Sequence, residues 1–198
     1  MPERSDDDLV REYLKGDFTA FEILYTRYRA RLFSFVRSMG GSGPEAEDLF
    51  QETWLRAIRG LRRYRPRGRF RIWLFTIARN LFLDRARKQR KEIGAYDEEA
   101  PAGTHHNHPV PRPDEKLLGK ERESLLRHAI EQLAPDERQV LELRTREEMS
   151  FREIAQVLDI PVGTALWRMH SAVKRLAAFC REEEIPRPGK TPGEGKRT

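Results

Sequence analysis

Phe18, Phe21, Leu24, Tyr25, Tyr28, Leu32, Phe35 and Val36 follow one another at steps of three, four or one. Large side chains at that spacing form a single stripe on an α-helix and scatter over both faces of a strand, so this stretch packs as a helix against other helices. Strand signals are weak elsewhere in the chain as well, which predicts an all-α fold. Gly40, Gly41, Ser42, Gly43 and Pro44 break the first helix, and Pro44 suits the first position of the next, which is expected to run to about Tyr64. In it Ala46, Leu49, Phe50, Thr53, Ala57 and Leu61 turn one way, while Asp48, Glu52, Leu55, Arg56 and Arg59 turn the other. Pro66 and Gly68 make a turn, and a further helix follows with Phe70, Trp73, Leu74, Ile77 and Leu81 as its expected buried stripe.

From about Glu92 to Pro113 the periodicity vanishes among Gly94, Pro101, Gly103, Pro109, Pro111 and Pro113, with Glu92, Asp97, Glu98 and Glu99 against Arg112 as the one base. That composition reads as a flexible linker. His105, His106 and His108 lie within it. They lack an ordered set of four ligands and read as solvated loop rather than as a metal site, so no metal or cofactor is expected. Helical spacing resumes near Asp114 with Leu125, Leu126, Ala129, Ile130 and Leu133. Pro135 then opens a helix carrying Val140, Leu141 and Leu143. Ser150 and Glu153 form an S-x-x-E capping box ahead of Ile154, Ala155 and Leu158; Asp159, Ile160 and Pro161 make a turn, and a longer helix runs from about Val162 to Phe179. A short helix, a tight turn and a longer basic helix is the helix-turn-helix layout, although three helices also pack this way without DNA. The expected stripe of the last helix is Ala165, Met169, Ala172, Val173 and Leu176, which leaves Thr164, Arg168, Ser171, Lys174 and Arg175 as candidates for DNA, with Trp167 either closing the core or lying against the sugar-phosphate backbone. The expected organisation is therefore two small helical domains, 1–91 and 114–180, joined by a linker, 92–113, and followed by a charged Pro- and Gly-containing tail, 181–198, expected to be disordered. A chain of 198 residues with 38% hydrophobic and 35% charged side chains suits two small cores under large polar surfaces.

The clearest functional signal lies between Arg62 and Lys91, where Arg and Lys side chains outnumber the lone acid Asp84 and alternate with Tyr64, Phe70, Trp73, Phe75 and Phe82. Dense positive charge neutralises phosphates, and exposed rings stack on unpaired bases, so the stretch suits a strand that is opened as well as held. On the wheel Arg71, Phe75, Arg79, Phe82 and Ala86 share the face opposite the expected core. Arg85, Arg87, Lys88, Arg90 and Lys91 extend it past the aromatics, and Asp84 reads as a salt-bridge partner on the helix surface. A formal charge of +6 agrees with an anionic partner. Cys180 is the single cysteine, no apolar run approaches the roughly 20 residues needed to span a bilayer, and a reducing cytoplasm is the expected setting without membrane insertion. Neither a supported nucleophile nor a carboxylate metal cluster is visible, which argues against an enzyme.

Three ordered blocks carry a family resemblance: Glu47-Asp48-Leu49-Phe50-Gln51-Glu52-Thr53-Trp54-Leu55-Arg56; Phe70-Arg71-Ile72-Trp73-Leu74-Phe75-Thr76-Ile77-Ala78-Arg79-Asn80 with Asp84-Arg85; and Ser150-Phe151-Arg152-Glu153-Ile154-Ala155 followed by Pro161-Val162-Gly163-Thr164. The chain resembles bacterial RNA polymerase sigma factors of the extracytoplasmic-function subfamily, which keep only the second and fourth conserved sigma domains. The resemblance implies that Asp48, Gln51, Glu52, Leu55 and Arg56 dock on the clamp helices of the largest subunit of core RNA polymerase. It implies that Arg69, Arg71, Trp73, Phe75, Arg79, Asn80, Phe82, Arg85, Arg87 and Lys88 recognise and open promoter DNA near position minus ten, with Asn80 a candidate for a flipped base. The helix from Val162 would read the minus-thirty-five element, the linker would thread toward the polymerase cleft, and an anti-sigma factor is an implied partner. Family members commonly carry Val-Lys-Ser-Arg after the Gly-Thr pair, where this chain has Ala165-Leu166-Trp167-Arg168. The competing reading is a helix-turn-helix regulator that binds duplex DNA without docking on polymerase, which leaves the 48–56 face unused.

Overall fold

A computed structural model describes residues 4–40, 43–92 and 118–182. Helix α1, Asp6–Leu14, begins at Ser5, whose hydroxyl accepts from the Asp8 amide, and Asp6, Asp7 and Asp8 lie at the positive end of the helix dipole. Its buried Leu9 and Val10 are adjacent and too few to show a helical period in the sequence. It is tied down by its acids. Asp6 accepts from Arg27 and from the Tyr28 hydroxyl, while Asp7 accepts from the Tyr64 hydroxyl at 2.9 Å and the Gly68 amide at 2.6 Å.

Helix α2, Phe18–Ser38, is capped by Asp17, and α3, Gly43–Gly60, passes into a 3-10 turn, Leu61–Arg63, before α4, Phe70–Glu92. Leu24, Leu32, Phe35, Leu49, Trp54, Phe70, Leu74 and Phe75 fill the core among these helices. The stripe expected for α3 is the one observed, with Ala46, Leu49, Thr53, Ala57 and Leu61 buried. Phe18 departs from expectation: at the first position of α2 it stays exposed, with its ring edge-on to Tyr13.

The second helical domain comprises α5, Leu118–Glu131, α6, Pro135–Thr145, α7, Phe151–Leu158, and α8, Val162–Glu182. The capping box forms as expected: the Ser150 hydroxyl accepts from the Glu153 amide, and Glu153 accepts in return from the Ser150 amide at 2.8 Å. Asp159 adopts the left-handed conformation, φ 48°, and turns the chain from α7 into α8. Val140, Leu143, Ile154, Val157, Leu158 and Ala165 are buried between the helices, whereas Leu126 and Val173, both expected in the core, are exposed. Among the described residues there is no strand, and no helix is long and apolar enough to cross a membrane. The two domains do not keep separate cores. α7 packs on α4 and α6 on α2, so one apolar cluster runs from Leu9 through Phe75 to Ala165.

Candidate nucleic-acid and partner interfaces

Helix α3 anchors itself through Leu49, Thr53, Trp54 and Ala57, and this fixes which side chains face outward. Asp48, Gln51, Leu55 and Arg56 are exposed, and Glu52 is half-buried. Leu55, 52% exposed, is the apolar centre of that polar face. The in-helix pair that spacing offers, Glu52 with Arg56, gives way to pairing with α4: Arg85 donates to Glu52 at 2.7 Å, and Arg56 stands 4.0 Å from Asp84. Asp84 also lies 3.5 Å from Arg87, in the surface salt-bridge role expected of it.

Helix α4 is covered on two sides, and this corrects the wheel. Phe75, expected on the open face, is fully buried, with its ring centroid 5.2 Å from that of Phe35. A wheel assumes one buried stripe, whereas α4 packs on α2 and α3 with one side and receives α7 on another. The Trp73 ring lies tilted against Tyr64, centroids 4.9 Å apart, and close over Gly60, where an added Cβ would come within 3.0 Å of it. Phe82 is half-buried, and Arg69, Asn80, Arg87 and Lys88 are exposed.

Arg71 and Arg79 point into the seam between the domains. Arg71 donates to the Glu147 carbonyl and, at 3.3 Å, to the Glu153 carboxylate; Arg79 lies 3.8 Å from Asp159. Burial pushes the Arg79 guanidinium below its usual range, against the pull of Asp159. Burial also draws the Glu153 carboxyl upward, but hydrogen bonds from Ser150 and the charge of Arg71 outweigh it and hold the group below the ordinary value.

At the centre of the seam is Glu147, a fully buried carboxylate in the connection between α6 and α7. Arg31 on α2 donates to its Oε1 at 2.9 Å and to the Arg146 carbonyl at 3.1 Å, while Arg146 donates to the Ser34 hydroxyl at 3.0 Å. The other oxygen, Oε2, is buried without a hydrogen-bond partner. Burial raises the Glu147 carboxyl above its ordinary value despite the charge of Arg31. Sequence reasoning missed this pair because 116 positions separate its members and no local pattern links them.

On α8 the outward face matches the expected one only in part. Arg168 is 2.5 Å from Asp136 and the Ser171 hydroxyl donates to Glu137 at 2.6 Å, so these two lean on α6, while Arg175, 3.3 Å from Glu137, remains exposed. Thr164 is half-buried at the start of the helix. Leu166, His170 and Val173 face solvent beside Trp167, Lys174 and Arg175, so the exposed face is turned from the centre of the expected one. Among the described residues no cluster of His, Cys, Asp and Glu could hold a metal ion, and His105, His106 and His108 lie outside the described residues, as do most of the linker and tail.

Residues 24–92 match the model of sigma-70 region 2, and residues 123–176 that of sigma-70 region 4. The chain is 35% identical over 179 residues to RNA polymerase sigma factor CarQ of Myxococcus xanthus, covering 89% of this chain and 98% of that one. It is 31% identical over 173 residues to the ECF RNA polymerase sigma-E factor of Escherichia coli, covering 85% and 90%. Its fold is similar to that of the sigma factor RpoE of Bartonella quintana, crystallised with the anti-sigma factor NepR, at a TM-score of 0.60 and 24% identity over 81% of this chain and 96% of that one.

Proposed function

Since the chain belongs to the sigma-70 family, as a sigma factor of the extracytoplasmic-function subfamily that brings core RNA polymerase to promoters, we propose that its two domains act in sequence, polymerase first and promoter second. Residues 1–91 carry polymerase binding and minus-ten recognition, 114–180 carry minus-thirty-five recognition, 92–113 link them, and 181–198 form a tail. The exposed α3 face, Asp48, Gln51, Leu55 and Arg56 with Glu52 at its edge, docks on the clamp helices of the largest subunit. An apolar centre within a charged rim suits a protein interface. Asn80 and the basic residues of α4 capture and hold the opened minus-ten strand, and no bond-making chemistry is required of the chain.

The observation that carries this order is that Arg71 and Arg79 meet Glu147, Glu153 and Asp159 of the second domain while the α3 face stays open. Carboxylates and a carbonyl stand where phosphates would come, so the same contacts that close the seam compete with DNA. The ion pairs of Arg71 and Arg79 are partly exposed and contribute about 1 kcal/mol or less each. Glu147 meanwhile carries an unsatisfied oxygen, a cost of about 1–3 kcal/mol. Such a seam is one that polymerase docking can open. An anti-sigma factor of the kind bound to the Bartonella protein is a fitting partner, acting by holding the domains together. Action on polymerase places the chain in the cytoplasm.

The test is to add the purified protein to sigma-free core polymerase with genomic DNA and to map transcript starts. New starts sharing a two-block upstream motif are expected. Retained duplex affinity without polymerase binding or new starts would favour the helix-turn-helix regulator instead.

A further inference from the structure

Two side chains of α8 that could read bases are turned toward α6: Arg168 is held by Asp136, and Ser171 by Glu137, while Arg175 stays exposed 3.3 Å from Glu137. In their place Leu166 is 47% exposed and Trp167 66% exposed, one beside the other on the second helix of a helix-turn-helix. Gly163, four positions before Trp167, opens that face further: an added Cβ would meet nothing within 4 Å. Exposed cations stand on the same two helices, Arg152 on α7 and Lys174 on α8, two turns on from Trp167. Such cations suit the phosphates that line a DNA major groove, and an apolar pair suits its floor.

Base edges in that groove present donors, acceptors and a single kind of apolar group, the C5-methyl of thymine. The Leu166 side chain has no hydrogen-bonding atom, and that of Trp167 has one donor, so neither can replace an arginine on guanine. We infer that Leu166 and Trp167 are specificity-determining residues that select thymine methyl groups in the upstream promoter element. The inference rests on the reading that α8 meets that element, and it adds the base class and the residues that choose it. Removing either side chain spares the fold, because both lie outside the packed interior.

The experiment uses the assembled polymerase holoenzyme and a promoter identified by start mapping. Thymines of the upstream element are replaced one at a time by deoxyuridine, which removes the methyl group and keeps every hydrogen-bonding atom. Each contacted methyl is expected to contribute about fourfold in affinity, the value of burying one methyl group. Leu166→Ala and Trp167→Ala each abolish the sensitivity at one step, with helix content unchanged. Leu166→Arg moves the preference at its step from thymine toward guanine. Equal binding of thymine and uracil templates, with the element still required, overturns the inference and leaves α8 as the reader. Indifference to scrambling the whole element removes the reading beneath it and the inference together. If Leu166→Ala and Trp167→Ala weaken only binding of a protein partner, the face is a protein-docking surface and the inference fails.

Discussion

Replacing Arg31 by alanine leaves the Glu147 carboxylate, 1% exposed as a side chain, without the cation that faces it at 2.9 Å. Its second oxygen already lacks a partner, so the closed arrangement would hold a buried charge with little compensation. Breaking a buried pair in this way costs about 3–5 kcal/mol; because Arg31 keeps 37% of its side chain in water, screening brings the figure to about 2–3 kcal/mol. In the open form Glu147 is hydrated and nothing is lost. The ratio of closed to open forms therefore falls roughly 30- to 150-fold at 1.36 kcal/mol per decade. The assay is fluorescence anisotropy of polymerase-free protein on single-stranded DNA carrying the minus-ten sequence. The variant gains affinity as Arg71 and Arg79 are released, although it has lost a positive charge, which by itself would weaken binding. Glu147→Gln serves as the contrast, since the amide still accepts from Arg31 and removes the buried charge, so it opens the chain less. Unchanged or weaker binding by Arg31→Ala, or stronger opening by Glu147→Gln, refutes the reasoning.

Acid is predicted to favour the closed form. Glu147 has a raised carboxyl facing Arg31 on α2, Arg71 on α4 and Glu142 on α6, so the closed form takes up a proton more readily than the open one, and closure is lost as pH rises from the ordinary carboxylate value, 4.5, through the raised one. Glu153, held below its ordinary value, acts in the opposite sense and only on the acid side of that value; a pH series of domain separation shows the Glu147 slope, and Glu147→Gln removes it. Asp48→Arg and Leu55→Ala should weaken polymerase affinity with unaltered helix content, the leucine by about four- to tenfold, roughly half of the 1.5–3 kcal/mol of full burial because its side chain is 52% exposed, as read by titration with labelled polymerase. Phe75→Ala should cost about 3–5 kcal/mol in chemical denaturation, because the ring is core, whereas Asn80→Ala should keep full stability and lose promoter opening in a permanganate footprint.

Local patterns were legible where one helix face met one core. The α3 stripe, the Ser150 and Glu153 capping box and the turn at Asp159 all follow from residues within a few positions of each other. The expectation failed where distant elements decide. Phe75 is buried because α4 has covered sides that a wheel cannot anticipate, and Arg168 leaves the solvent face because Asp136 waits on α6. Phe18, Leu126 and Val173 show the converse: apolar side chains in phase with a stripe remain exposed. The site was therefore visible as a set of basic and aromatic residues, but not as a surface covered by the chain's own acids.

The measurement that tests the sequential account most directly is the distance between the two domains with and without core polymerase. Spin labels on cysteines replacing Arg29 on α2 and Lys174 on α8, both exposed, with Cys180→Ser, supply that distance by pulsed electron resonance. A single short distance in the free protein that gives way to a longer one on polymerase is the predicted result. A distance that is long without polymerase, or unchanged on binding it, would contradict the account.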